Sequence, residues 1–417
     1  MKRVLMVAYH FPPLAGSSGI QRTLRFAQQL PDFGWEPIVL TAHPRAYERV
    51  SDDLLGEVPA NLVVHRAFAL DTARHLSIAG RYLGSMSRPD RWMTWRWSAV
   101  AAGMRLIRRY KPAVLWSTYP IATAHRIGAT LHRYSGLPWI ADFRDPMAQE
   151  GYPADPKTWQ CYQEIEETAF RKARFSVFTT PSAARMYADR YPQVPPERAV
   201  LIENGYDEES FAGLEASAVA KGSLNPGKIT LLHSGIVYPS ERNPTQLFWA
   251  LRALRDAGQL SATRFVLRLR AAAHDQWLQA LAVEHGVAEF VELMPPLPYR
   301  EALEEMLRAD GLVVLQADNC NAQIPAKLYE YLRCRRPILG LTDPAGDTAW
   351  ALRQAGVQYI ACLESQEEIM SVLPRFLEML SNSQMALIES SIQSASRRQR
   401  AGQLAELLNG LIPAGLL

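Results

Sequence analysis

Lys327 and Glu330 are the pair best spaced for chemistry. They follow a buried apolar run and the residues Ile324 and Pro325, and three positions apart they are neighbours on a helix. A diphosphate can sit on the N-terminus of such a helix. Lys327 then adds charge, and Glu330, one turn deeper, accepts hydrogen bonds from a pair of ribose hydroxyls. The competing use of an isolated K-x-x-E is a surface ion pair. Gly16 and Gly19, with Arg22 one turn further on, follow the first apolar run. Glycines there let backbone amides close on an anion or a sugar, although an ordinary strand-to-helix turn has the same composition. Asp142-Phe-Arg144-Asp145 ends another run. Two carboxylates flanking an arginine can orient a hydroxyl, one acid depressed in pKa and the other left to take a proton; a structural salt bridge is the alternative. His125, at a helix start after Trp116-Ser-Thr-Tyr-Pro120, offers an imidazole to a ligand or is a packed helix residue.

These residues sit on short apolar runs that end in turn or polar residues. The first set is Val4–Ala8, Pro37–Thr41, Leu62–His65, Ala113–Ser117, Trp139–Asp142, Phe175–Thr179 and Ala199–Glu203. The second is Ile229–His233, Phe265–Leu269, Phe290–Leu293, Gly311–Leu315, Pro337–Leu341 and Gln358–Cys362. Most are continuous rather than alternating, the mark of strands covered on both faces, and helical spacing separates them. The pattern predicts two α/β, doubly wound, Rossmann-like domains facing one cleft at the carboxyl ends of their sheets. We expect domains at 1–214 and 228–385, a small-residue linker at 215–227, and a C-terminal helical segment, 386–417, able to return to the first domain. Neither G-x-G-x-x-G nor the Walker pattern is present.

Composition excludes several classes. The 417 residues are 48% hydrophobic and 21% charged, too apolar for a disordered chain. Lys plus Arg is 45 against 42 for Asp plus Glu, which gives no general case for binding nucleic acid. Cys161, Cys320, Cys334 and Cys362 lack ligand spacing, so neither zinc nor a disulfide framework is expected. No run is long and apolar enough for a spanning helix, and the N-terminus reads as a first strand.

Taken in order, several segments resemble those of the retaining GT-B glycosyltransferases of the family 4 type. They are Tyr9-His-Phe-Pro-Pro with Gly16–Gly19, Trp116-Ser-Thr-Tyr-Pro, Trp139-Ile-Ala-Asp-Phe-Arg-Asp-Pro146, Glu203-Asn-Gly-Tyr-Asp207, His233-Ser-Gly235 and Ile324-Pro-Ala-Lys-Leu-Tyr-Glu330. The resemblance implies a nucleotide-diphosphate sugar held mainly by the C-terminal domain and an acceptor held mainly by the N-terminal one. It implies that Gly16, Gly19, Gly235, Arg242, Ile324, Lys327 and Glu330 serve the donor, and Arg22 and Arg144 the acceptor side. His125, Asp142 and Asp145 are the catalytic candidates. Glu330 matches the later Glu of the family's E-x7-E pattern, whereas Ala322 stands at the earlier one. Ile236 replaces an expected early Arg, which leaves Arg242 as the diphosphate ligand with Lys327 as second cation.

The expectation is therefore a glycosyltransferase acting on a glycan or lipid-linked acceptor, with retention, without a cofactor or metal, in polysaccharide or glycoconjugate biosynthesis. Two alternatives are a nucleotide-sugar 2-epimerase of the same architecture and a degenerate non-catalytic binding protein, the latter suggested by Ala322. Between Arg81 and Lys111, Arg81, Arg88, Arg91, Arg96, Arg105, Arg108, Arg109 and Lys111 oppose a single acid, Asp90, with Trp92, Trp95 and Trp97 among them. Such a segment suits an anionic membrane surface, or else packs its tryptophans inward and solvates its basic face. A cytoplasmic protein, with the option of resting on the inner face of the cell membrane, is expected.

Overall fold

The structure, a computed structural model, describes residues 1–17, 19–382 and 387–412. The chain forms two units, residues 1–204 with 397–417 and residues 205–396.

The first unit is built on a parallel sheet of β1 (Lys2–Val7), β2 (Trp35–Ala42), β3 (Val63–Ala67), β4 (Val114–Thr118), β5 (Trp139–Arg144), β6 (Phe175–Phe178) and β7 (Ala199–Leu201), in the order β3-β2-β1-β4-β5-β6-β7. Each apolar run of the first set becomes one strand. Their continuity has a direct cause, because helices cover both faces. Leu5, Val7, Ile38, Leu40, Leu115, Trp139 and Phe143 pack to one side. Val4, Met6, Val39, Val114, Trp116 and Ile140 pack to the other. The order reverses between β1 and β4, so the crevice of this sheet opens at the ends of those strands.

The second unit repeats the scheme with β8 (Ile229–Ser234), β9 (Phe265–Arg270), β10 (Val291–Met294), β11 (Gly311–Gln316), β12 (Ile338–Thr342) and β13 (Ile360–Ala361), in the order β10-β9-β8-β11-β12-β13. Here the reversal falls between β8 and β11. Gly235 follows the first of these strands and the Lys327–Cys334 helix follows the second.

The expected domain boundaries need revision. Residues 215–227 are not a linker, because Leu214–Lys221 is a helix of the second unit. Leu214 and Ala218, one turn apart, bury against Leu303, Met306 and Leu307. Arg333 holds this segment through Glu208 (2.7 Å from Nε) and Glu215 (2.7 Å). Two small buried positions leave almost no periodic signal, which is why the run looked unstructured. The chain passes between units at 204/205 and 396/397. The boundary expected at 385/386 lies outside the described residues.

The C-terminal helix Arg397–Asn409 belongs to the first unit. Ala401, Leu404, Ala405 and Leu408 form its buried stripe, packed with Leu24, Ala27, Leu30 and Trp35. Arg400 reaches Glu203 (2.6 Å), and Trp35 Nε1 donates to Asn409 Oδ1 (3.1 Å). Leu404 is thus a core residue of a domain whose other elements lie some two hundred positions or more upstream in sequence. Leu404→Ala is expected to destabilise the first unit by about 2–5 kcal/mol in denaturant titration, the range for a buried leucine; a loss under about 1 kcal/mol would show the helix to be dispensable.

Candidate functional site

In the second unit, β8 runs out at His233-Ser234-Gly235. His233 is buried, and its Nδ1–H donates to the Val313 carbonyl (2.9 Å), which leaves Nε2 as an acceptor. Lys327 Nζ donates to that Nε2 at 2.9 Å. Burial and the neighbouring lysine hold His233 well below the usual histidine range, so it is neutral. Lys327 is itself pushed down to about 7, chiefly by burial and then by Arg242, with Glu330 working the other way. Among the described residues, the hydrogen-bond partner of this cation is a neutral imidazole.

Gly235 makes this approach feasible. Its φ is +117°, and a Cβ there would lie 2.8 Å from Lys327 Nζ. Arg242 donates to the Ile236 carbonyl (2.7 Å) with its guanidinium over Tyr238 (5.3 Å). The loops after β8 and β11 are tied together: Ala317 N–H donates to the Glu241 carbonyl (2.7 Å) and Asn319 to that of Ser240 (2.8 Å). Gln316 pins the second loop through the carbonyls of Cys320 (2.8 Å) and Gln323 (2.9 Å). Tyr331, on the Lys327–Cys334 helix, accepts from Ser234 N–H (2.8 Å).

Gly235, Arg242, Lys327 and Glu330 are therefore brought to one end of the second sheet. Glu330 accepts from Tyr299 OH at 2.8 Å, an orienting contact that nothing in the sequence signalled. Pro325 precedes the helix rather than opening it, and its carbonyl accepts from Leu328 N–H (2.9 Å). The Ile324 side chain is turned into the core with Leu328 and Tyr331, so only its backbone is left to a ligand. Sequence reasoning passed over His233 as a ligand-site residue, although its place at the end of the unit's first strand is the signal that finds it.

The first unit gathers a second group. His10 follows β1 and Ser17 Oγ lies 2.9 Å from its Nδ1, while Gly19 N–H donates to the same oxygen (3.2 Å). Gly16 has φ +80°. A Cβ on Gly19 would lie 2.5 Å from the Arg144 guanidinium and 2.6 Å from His10 Nδ1, so glycine is required where the Gly19–Gln29 helix meets both. Ser18 lies outside the described residues. Burial, helped by Arg144, pushes His10 down to about 4. Beside it a cavity of about 240 Å³ is lined by Tyr9, His10, Gly16, Ser17, Glu48 and Trp92 among others.

Three expected site residues serve differently. Asp142 is fully buried and accepts from Arg22 Nε (3.0 Å), Arg22 Nη2 (2.8 Å) and Thr118 Oγ1 (2.8 Å). Both its oxygens are committed, and Arg22 goes on to the carbonyls of Ile202 (3.0 Å) and Glu203 (3.1 Å). The pair clamps β5 and the end of β7 to the Gly19–Gln29 helix, which leaves exposed Asp145 as the carboxylate of this segment that faces solvent. His125 is fully buried on the other side of β5, its ring 4.8 Å from Phe143 and its Nδ1 2.8 Å from Ser117 Oγ. It is not brought together with Asp142 and Asp145.

Of the eight cations in 81–111, Arg88 and Arg91 are tied into the fold by ion pairs, whereas Arg81, Arg105, Arg108, Arg109 and Lys111 are exposed. Trp95 is buried and Trp92 packs on Tyr9 at 4.9 Å. Arg91 is paired with Glu48 and Asp71, and Arg88 with Asp155 (3.3 Å). Trp97, 68% exposed, is the tryptophan of this segment that points outward. No helix among the described residues is long and apolar enough to cross a membrane.

Residues 18–205 match the family model described as a glycosyl transferase 4-like domain. The matched residues thus resemble a glycosyl transferase 4-like domain. No curated protein sequence matches it. The same fold recurs in sucrose-phosphate synthase from Thermosynechococcus elongatus, with 14% identity, 99% of each chain covered and a TM-score of 0.67. HepE of Anabaena, solved with UDP, gives 13% identity over 98% of this chain and 100% of that one, at a TM-score of 0.67. Trehalose 6-phosphate synthase from Burkholderia multivorans gives 12% identity over 99% and 97%, at 0.65. These likenesses establish the GT-B fold of two Rossmann-like domains.

Within the matched segment the Arg22–Asp142 pair is 5% and 0% exposed at its side chains. Arg22→Ala strands a buried carboxylate and should cost about 3–5 kcal/mol, with part of the loss recovered in the Arg22→Ala/Asp142→Asn double variant. Equal stability of single and double variants in denaturant titration would contradict the clamp.

Proposed function

We propose that the protein transfers a sugar from a nucleotide-diphosphate sugar to a glycan or lipid-linked acceptor, with retention of configuration, in polysaccharide or glycoconjugate biosynthesis. The observation that carries this reading is Lys327, buried against neutral His233 and flanked by Arg242 and Glu330 at the end of β8 and β11. As the bond between the anomeric carbon and the leaving oxygen breaks, negative charge grows on the nucleoside diphosphate. Lys327, Arg242 and the N-terminus of the Lys327–Cys334 helix neutralise it, the role a divalent ion would otherwise fill. Glu330, oriented by Tyr299, takes the ribose hydroxyls. The resemblance to retaining enzymes supports front-face attack by the acceptor rather than a covalent enzyme intermediate. His10, Arg144 and Asp145 are the first-unit groups we assign to the acceptor.

HepE was solved with UDP, which makes UDP the first nucleotide to try. At 100 times its dissociation constant a ligand stabilises by about 2.7 kcal/mol, a readable thermal shift. A nucleoside diphosphate should stabilise the wild type with or without EDTA and fail to stabilise Glu330→Ala. Absence of any shift across UDP, GDP, ADP and dTDP would remove the nucleotide-sugar reading. Ala322 also favours a non-catalytic binder, and slow hydrolysis of the bound nucleotide sugar would exclude that alternative.

Affinity should depend on pH through Lys327. Its value in the free protein is about 7, below the ordinary 10.5, so below pH 7 it is already charged and ready for the diphosphate. Above pH 7 binding must draw in a proton, and affinity falls by up to about tenfold per pH unit. Lys327→Met should bind more weakly at pH 7 and lose this slope. A wild-type affinity that rises between pH 7 and 9 would overturn the assignment.

A further inference from the structure

A second cavity in the first unit, about 340 Å³, is lined by Arg96, Arg126, Arg133 and Lys172, with Glu164 as the acid of the lining and His125 also reaching it. It lies among the helices Trp95–Tyr110, Ala122–Ser135 and Pro156–Lys172, and shares no lining residue with the Tyr9–Gly16 cavity. Its volume falls in the range of small-molecule sites.

The charges around it are uncompensated. Among the described residues no carboxylate lies within ion-pair distance of Arg96, Arg126, Arg133 or Lys172; Arg126 contacts only Cys161 Sγ (3.8 Å) and Arg133 the Tyr134 hydroxyl (2.7 Å). The guanidiniums also feel one another. Burial, together with Arg126 and Arg133, holds Arg96 below the usual arginine range. Four cations thus converge on one space that a single lining carboxylate, Glu164, shares with them.

His125 provides the independent observation. It is wholly buried, lines this cavity, and its Nε2 has no hydrogen-bond partner. Ser117 Oγ accepts Trp139 Nε1–H (2.9 Å) and lies 2.8 Å from His125 Nδ1, so where its own proton points to Nδ1 the imidazole proton sits on Nε2. In that tautomer Nε2 is a buried N–H donor with no acceptor among the described residues. A buried donor in this condition is costly unless something accepts from it.

We propose that this groove is a binding site for a phosphate-bearing ligand, distinct from the nucleotide-sugar pocket of the second unit. Guanidiniums in fork geometry prefer the tetrahedral oxygens of phosphate, and the unpartnered, buried His125 Nε2 belongs to a lining residue of the same cavity. The same chemistry is offered by a soluble phosphoester and by a phospholipid headgroup. Trp97, exposed beside Arg96 (5.3 Å from guanidinium to ring), stands near the rim.

Calorimetric titration of inorganic pyrophosphate into the full-length Arg242→Ala/Lys327→Met protein, which silences the second-unit site, tests the proposal. Binding is expected, weakened by about tenfold or more for each guanidinium removed in Arg126→Ala and Arg126→Ala/Arg133→Ala. Glu164→Gln, at an exposed position, should bind pyrophosphate more tightly, a gain that misfolding cannot mimic. Sedimentation with phosphatidylcholine vesicles, with and without phosphatidylglycerol, separates the sources. Capture that needs phosphatidylglycerol and is competed by pyrophosphate assigns a headgroup, and pyrophosphate binding without capture assigns a soluble ligand. No binding of either probe, or pyrophosphate binding unaffected by both Arg126→Ala/Arg133→Ala and Glu164→Gln, would overturn the site.

Discussion

The second unit depends on one electrostatic constraint: a largely buried ammonium group is held by a neutral imidazole. Lys327 loses most of its solvent and receives the Nε2 lone pair of His233, so burial and Arg242 outweigh the support that Glu330 gives its charged form. Everything nearby maintains that condition. The Val313 carbonyl fixes the tautomer that makes His233 an acceptor, and Gly235 leaves the space that any side chain would close. Arg242 keeps a second positive charge close enough to depress Lys327 further. The pocket thus holds more positive charge than Glu330 offsets, the condition that the proposed diphosphate leaving group would use.

The first unit solves the opposite problem. Its strand-end carboxylate, Asp142, is satisfied completely by Arg22 and Thr118, and the resulting clamp fixes the entry of the Gly19–Gln29 helix. With that helix in place, Gly19 can press against His10 and the Arg144 guanidinium, and Arg144 itself sits at φ +61° where β5 ends. One arginine of the pair Arg22 and Arg144 has been spent on structure and the other left at the mouth of the crevice.

Much of this was legible in the sequence. Continuous apolar runs marked every strand of both sheets, because a strand covered on both faces has no reason to alternate. Lys327 and Glu330 were read from their helix spacing and Gly235 and Arg242 from the family resemblance, and all four lie at one end of the second sheet. What failed had physical causes. The Leu214–Lys221 helix buries only Leu214 and Ala218, too little to show as a period. Asp142 and Asp145 look equivalent in sequence, but strand alternation and the reach of Arg22 from a helix 120 positions earlier decide their fates. His125 was read toward a ligand from its helix position, whereas the aromatic packing of Trp139 and Phe143 draws it to the other face of the sheet. Tyr299 on Glu330 is a contact across 31 positions that no local pattern encodes.

The central claim is that Lys327 enters the free pocket largely uncharged above pH 7 and is charged when a nucleoside diphosphate occupies it. Calorimetric titration of UDP at pH 8 in buffers of different ionisation enthalpy counts the protons taken up on binding. Uptake approaching one proton per site, abolished in Lys327→Met, is the predicted result. Binding with no uptake in the wild type, or with the same uptake in the variant, would contradict it.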